Sequence, residues 1–179
     1  MPVLVAALTL VGLIATVNLL LSMGIIKRLR EHTELLANLG GGPASLVAGE
    51  AVGEFSTVTV DDRPLDRESL TGETVVGFFS PTCQPCKEKL PTFIDYARNR
   101  TGGDRRALAV VVGDAEQAED FVSRLSPVVR VVLENPDGPM SLAFKTRAFP
   151  TVLAVAPDDD GRLVVTDDHF ALDQPAALV

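Results

Sequence analysis

The sequence predicts an α/β domain with a mixed sheet, preceded by an apolar N-terminal helix. Three observations carry that expectation. Strand-like apolar runs alternate with helical periodicities through the middle of the chain, the pattern of parallel strands joined by helical crossovers. The last two strand runs are separated by an Asp/Gly turn, which adds an antiparallel edge. Ahead of all this, Pro2 to Ile26 forms twenty-five residues without a charge.

At ~1.5 Å per residue that run reaches about 37 Å as a helix, against ~30 Å of bilayer hydrocarbon. A buried soluble helix of this length would show a polar stripe, and none is present. The run is too long for the apolar segment of a cleaved signal peptide, and it lacks a basic start and an A-x-A site. Residues 1–27 are therefore expected to be a retained transmembrane anchor, embedded through residues 2–26. Beyond it, Leu29, Leu35, Leu36 and Leu39 recur at near-helical spacing and extend the helix as an amphipathic stalk. Gly40-Gly41-Gly42-Pro43 ends that helix and opens a linker to about Gly49. Residues 28–49 thus read as stalk and linker, and residues 50–179 as the folded domain. The basic flank Lys27, Arg28 and Arg30 follows the span, and the positive-inside rule would keep that side in the cytoplasm.

Within the domain, Phe55 to Val60 alternates in β-branched residues and Asp61-Asp62 supplies a turn, giving a small hairpin that ends near Leu65. A short helical turn follows over Leu65 to Leu70. Thr74 to Phe79 is a compact apolar run, the mark of a strand buried on both faces. Ser80-Pro81-Thr82 breaks it, and a helix runs from Gln84 to Arg100, closed by Gly102-Gly103. Ala107 to Val112 is the second buried strand. Asp114 is suited to cap a helix over Ala115 to Leu125. Val128 to Leu133 is a third strand, Pro139 to Lys145 a short helix, Thr151 to Ala156 a fourth strand and Leu163 to Thr166 a fifth. A last short helix is expected over Leu172 to Leu178. Phe121, Leu125 and Phe144 are assigned to the core.

Composition removes whole classes of function. Hydrophobic residues make up 46% and charged residues 22% of 179, which excludes a disordered chain. The net charge is −8, and the stretch up to Gly42 holds +1 of it, so the rest carries −9. No basic footprint for nucleic acid exists. Two cysteines, Cys83 and Cys86, stand too close in sequence to staple a fold.

Those cysteines carry the chemistry. A buried strand ends, the chain turns, and Cys83-Gln84-Pro85-Cys86 opens a helix. Cys83 then lies at the first turn, where unpaired N–H groups and the helix dipole favour a thiolate nucleophile. Cys86 falls one turn inside, within reach of a mixed disulfide at Cys83, and Pro85 fits the helix start, where a missing N–H costs nothing. Zinc needs four ligands, and His32 and His169 each stand alone, so no metal site is expected. Thiolates also suit copper(I), but Met140 is the one further soft ligand in the domain. Thiol–disulfide exchange is the favoured reading, with a copper chaperone or non-catalytic assembly factor as the alternative.

From about Ala48 to Thr166 the chain resembles membrane-anchored thioredoxin-like proteins of the TlpA family. Anchor, stalk and linker add a resemblance to the MauD-like branch, linked to methylamine dehydrogenase maturation. The residues that carry it are Phe79-x-x-x-Cys83-x-Pro85-Cys86, Pro91 five residues after Cys86, and Phe149-Pro150-Thr151 before a strand. The resemblance implies a thioredoxin-like three-layer sandwich, a helix kinked at Pro91, and a cis-Pro150 loop offering backbone groups to client peptides. It further implies an exported domain on a single-pass membrane protein, client proteins with disulfides or thiols, an upstream thiol donor, and no cofactor beyond the cysteine pair.

The chain also departs from the family. Where many TlpA-type proteins have Glu three residues after the second cysteine, Lys89 stands, with Glu88 one residue earlier; both are candidate tuning residues, as is Pro85. Thioredoxins place a buried Asp six residues before the first cysteine, and here that position is Gly77. A peroxiredoxin-like peroxidase is a further, weaker alternative: that family requires proline seven residues before its cysteine, where Val76 stands, although Ser80 fits its Ser/Thr three residues before.

Overall fold

The computed structural model describes Gly12, Leu13, Thr16 and residues 44–99 and 106–172. The chain divides into two compact units, Met1–Gly42 and Pro43–Val179. In the first, Gly12, Leu13 and Thr16 are helical, and the Thr16 hydroxyl donates to the Gly12 carbonyl at 2.8 Å. The rest of the expected anchor, the stalk and the C-terminal helix after Leu172 lie outside the described residues. Among the described residues no helix is long and apolar enough to cross a membrane.

The second unit is built on a five-stranded sheet. Its strands are β3 (Thr74–Phe79), β4 (Arg106–Val112), β5 (Arg130–Glu134), β6 (Thr151–Pro157) and β7 (Leu163–Asp167). They lie in the order β5-β4-β3-β6-β7. β3, β4 and β5 run parallel, joined by helices α1 (Gln84–Asn99) and α2 (Ala115–Leu125), while β6 and β7 are antiparallel. A separate hairpin, β1 (Ser56–Val58) with β2 (Pro64–Asp66), precedes a 3-10 turn at Arg67–Ser69. The short helix α3 spans Pro139–Ala143.

The period of two along each strand sorts the core into two layers. Val75 and Phe79 of β3, Ala109 and Val111 of β4 and Val131 of β5 face α1 and α2. Val76, Phe78, Leu108, Val110 and Val132 point the other way, onto α3 and the segment Leu46–Phe55. All six residues of β3 are buried, as expected for the central strand of a covered sheet. Phe144, just past α3, packs its ring 5.2 Å from that of Phe78.

Several boundaries differ from the sequence expectation for identifiable reasons. Residues 44–49 belong to the packed domain and not to a free linker. Leu46 is 1% exposed, and its N–H donates to the Phe144 carbonyl at 3.0 Å. β5 starts at Arg130, because the N–H groups of Val128 and Val129 both turn back onto the Leu125 carbonyl. α3 stops at Ala143, and Lys145 takes a left-handed φ of 52°. Asp114 precedes α2, but its side chain makes no capping hydrogen bond. Glu134 is a capping residue that the sequence pattern did not signal. Its buried carboxylate accepts from the N–H groups of Met140 and Ser141 and from the Ser141 hydroxyl, satisfying the amino end of α3.

The close seating of α1 on β3 shows at Gly77. A Cβ there would stand 2.7 Å from Phe79 Cε2 and 2.8 Å from Phe93 Cε2. Those two rings are themselves packed edge to face at 5.1 Å. Gly77→Ala is therefore expected to destabilise the fold by about 1–3 kcal/mol through overpacking. Urea denaturation followed by circular dichroism measures this, and a change near zero would contradict the packing.

Candidate active site

The site forms where β3 gives way to α1. Beyond Phe79, Pro81 is buried, and the Cys83 N–H donates back to the Ser80 carbonyl at 3.1 Å, which makes the reversal a tight turn. The Cys83 carbonyl accepts from the Lys87 N–H at 3.3 Å, so Cys83 sits at the boundary residue of α1, with its own carbonyl already in the helical ladder. Pro85 lies in the first turn, where a missing N–H leaves no bond unmade.

The two sulfurs occupy different environments. Cys83 is half-buried, whereas Cys86 is fully buried in the core layer beneath α1. Both are free thiols. The Cys83 thiol donates to the Phe149 carbonyl at 3.3 Å, and the Ser80 N–H donates to Cys86 Sγ at 3.4 Å. Burial, reinforced by the hydrogen bond with Cys83, pushes the Cys86 thiol up to about 12, against the opposing pull of the Ser80 N–H. An apolar shell penalises the thiolate.

The contact with Phe149 crosses the chain. β3 pairs antiparallel with β6 in the register Phe78 to Thr151, so the segment just before β6 lies beside the segment just after β3. There the Phe149–Pro150 peptide bond is cis. The Thr151 hydroxyl donates to the Ala148 carbonyl at 2.7 Å and ties down the loop. Cys83, Cys86, Phe149, Pro150 and Thr151 are thus gathered at one end of β3.

The remaining candidates separate. Glu88 is exposed and accepts from Gln84 Nε2 at 3.2 Å, on the outer side of α1. Lys89 is half-buried and lines an open groove of about 410 Å³ with Pro150, Thr151 and Val152. The far wall is made by Ala44, Ser45 and Val47 and by Asp168, His169 and Phe170, residues that the sequence reading did not assign to the site. A signal was present in Leu46-Val47, an apolar pair separated from the Gly/Pro segment by Ala44 and Ser45 alone. Among the described residues no cluster of three His, Cys, Asp or Glu could hold a metal ion.

Comparison with solved structures identifies the fold as thioredoxin-like. The thioredoxin domain of a thiol-disulfide oxidoreductase from Bacteroides vulgatus superposes with a TM-score of 0.56 at 15% identity, over 68% of this chain and 88% of that one. A secreted Mycobacterium tuberculosis disulfide oxidoreductase homologous to Escherichia coli DsbE gives 0.52 at 19% identity, over 70% and 87%. A DsbF homologue from Corynebacterium diphtheriae gives 0.53 at 16%, over 74% and 90%. No family model matches the chain, and no curated protein matches it.

The unequal burial predicts unequal labelling. At pH 8, iodoacetamide is expected to modify Cys83 in the folded, reduced protein and to spare Cys86 until the chain is denatured, as peptide mass spectrometry reads out. Equal labelling of both would contradict the geometry. Because the folded state holds the Cys86 proton more tightly than the unfolded state, which releases it near the ordinary value of 9, stability is undiminished below that value. It should fall as pH rises from there toward about 12, by at most ~1.4 kcal/mol per unit. Urea titrations of the reduced protein between pH 8 and 11 measure that slope.

Proposed function

We propose that this protein is a thiol–disulfide oxidoreductase of the TlpA type, close to its MauD-like branch, acting on exported client proteins. One observation carries the reading. A half-exposed sulfur at the amino end of a helix lies against the carbonyl that precedes a cis-proline, with a second, buried thiol one turn further along the helix. The likeness of the fold to thiol-disulfide oxidoreductase structures supports it.

In the reducing direction, the Cys83 thiolate attacks one sulfur of a client disulfide. The S–S bond breaks, the displaced client sulfur takes up a proton, and a mixed disulfide joins Cys83 to the client. Cys86 loses its proton and attacks Cys83 Sγ, forming the Cys83–Cys86 bond and releasing the second client thiol. Two electrons and two protons pass to the client. An upstream thiol donor of the same chemistry restores the pair, and the reverse sequence oxidises client dithiols. The redox centre is the cysteine pair itself, and Phe149, Pro150 and Thr151 form the docking edge beside it.

The tether is assigned to residues 2–26, and the domain is placed outside the cytoplasm. The uncharged run, the family resemblance and the lack of any cysteine besides the pair support this placement, against the basic flank after the span.

A Cys86→Ala variant should trap mixed disulfides with clients, visible as reductant-sensitive adducts in non-reducing electrophoresis, and Cys83→Ala should trap none. Either substitution should lower disulfide reductase turnover at least 100-fold. Tight copper(I) binding by the wild type without adducts in Cys86→Ala would overturn the oxidoreductase. Protease added to spheroplasts should digest the domain, and complete protection would reverse the placement.

A further inference from the structure

Ser80 is bonded through its main chain to both cysteines. Its carbonyl accepts from the Cys83 N–H at 3.1 Å, and its N–H donates to Cys86 Sγ at 3.4 Å. The first bond shapes the turn. The second reaches a sulfur that must become a thiolate inside an apolar layer, and a hydrogen bond to the charged form favours that form. The position of Ser80 therefore bears on how readily the inner sulfur reacts.

The next residue supports Ser80. Pro81 is buried, and its ring fixes the backbone φ directly after Ser80. That ring lies against Gly113, the residue following β4, where a Cβ would stand 3.2 Å from Pro81 Cδ and 3.6 Å from Cγ. At 3.2 Å the ring has to give by a few tenths of an ångström. Gly113 is itself held. Its N–H donates to the Glu134 carbonyl at 3.0 Å, beyond the end of the β4–β5 ladder, and the Glu134 carboxylate is engaged on the amino end of α3. One line of contacts thus runs from β5 through Gly113 and Pro81 to Ser80.

We propose that Gly113 is a positioning residue for the resolving cysteine: by leaving room for the Pro81 ring, it holds the Ser80 N–H on Cys86 Sγ. The proposal rests on the oxidoreductase reading and deepens it, assigning control of the second chemical step to a residue outside the C-x-x-C turn. In that step the Cys86 thiolate attacks Cys83 Sγ of the mixed disulfide. The Cys83–Cys86 bond forms, the bond from Cys83 to the client breaks, and the client sulfur leaves with the electron pair and takes up a proton. The first step, attack by Cys83 on the client disulfide, does not involve the Ser80 N–H. Weakening one hydrogen bond to the inner sulfur therefore slows the second step by about 2- to 10-fold and spares the first.

The test uses the reduced full chain and one equivalent of dithiobis-nitrobenzoate, an aromatic disulfide that separates the two steps. Attack by Cys83 releases one thionitrobenzoate and leaves the other on Cys83; attack by Cys86 then releases the second. Stopped-flow absorbance follows both releases. In Gly113→Ala the second release should slow by about 2- to 10-fold with the first unchanged. Alanine at a φ of 157° strains the backbone whichever residue stands at 81. Repeating the substitution in a Pro81→Ala background, which lacks Cγ and Cδ, isolates the ring contact, and there it should change the second release by less than about 2-fold. Pro81→Ala alone, with glycine kept at 113, should also slow the second release, and it carries the test should Gly113→Ala not fold. The amide proton resonance of Ser80 should move in both single variants. An unchanged second release in the single variants, equal slowing of both releases, or the same effect of Gly113→Ala in the two backgrounds overturns the positioning role. The reagent replaces the client, so the two readings fail separately. Releases that behave as expected, in a protein whose Cys86→Ala variant traps no client, overturn the oxidoreductase reading. A wild type that reduces client disulfides while Gly113→Ala releases at the wild-type rate overturns the positioning role alone.

Discussion

The antiparallel pairing of β3 with β6 is the constraint on which the site depends. It brings Phe149 against a sulfur 66 residues away, a contact that neither segment can make by itself. The pairing is not free to slip. Moving β6 by one residue would turn Leu153 and Val155, both fully buried, to the opposite face of the sheet. The same apolar alternation that fills the core therefore fixes where Pro150 stands relative to Cys83. Chemistry at the end of β3 is a by-product of register in its middle.

Within that frame, one turn of helix places two thiols in different environments. Cys83 stands at the mouth, half-exposed, with the unpaired N–H groups of the α1 terminus nearby. Cys86 points inward to the layer of Leu90, Phe93 and Phe79 and is fully covered. Access favours the outer sulfur, and burial raises the inner thiol well above its ordinary value. The difference in exposure follows from helical geometry acting on a C-x-x-C spacing at a buried helix start.

How much of this could be seen in the sequence depended on the range of the interaction. The strands Thr74–Phe79 and Leu163–Asp167 and the helices beginning at Gln84, Ala115 and Pro139 were legible because periodicity and breakers are local signals. The cysteine pair was legible for the same reason. The groove was not. Its wall from Ala44 to Val47 follows a Gly/Pro stretch that reads as linker, and tertiary bonds such as those from the Leu46 N–H to the Phe144 carbonyl and from the Arg147 N–H to the Ala44 carbonyl show that it is packed structure. The cis geometry at Pro150 was implied by resemblance, since no spacing encodes it. Glu134 as the cap of α3 likewise depends on a tertiary approach, with Gly138 so close that a Cβ there would lie 2.5 Å from the carboxylate.

The departures from the family pattern fit one another. A side chain at Gly77 would collide with Phe79 and Phe93, so β3 offers no place for a carboxylate beneath Cys86. From the other side, the partners of its sulfur are the Ser80 N–H, a donor, and Cys83. A buried thiol with a donor on one side and a sulfur on the other has its outward route for a proton through Cys83 and the mouth of the site. In the proposed exchange that mouth holds the departing client sulfur, which needs a proton as it leaves. Lys89 lines the groove with Pro150 and Thr151. In that proposed exchange the acceptor for the Cys86 proton would arrive with the client, since the space at Gly77 is filled by the rings of Phe79 and Phe93.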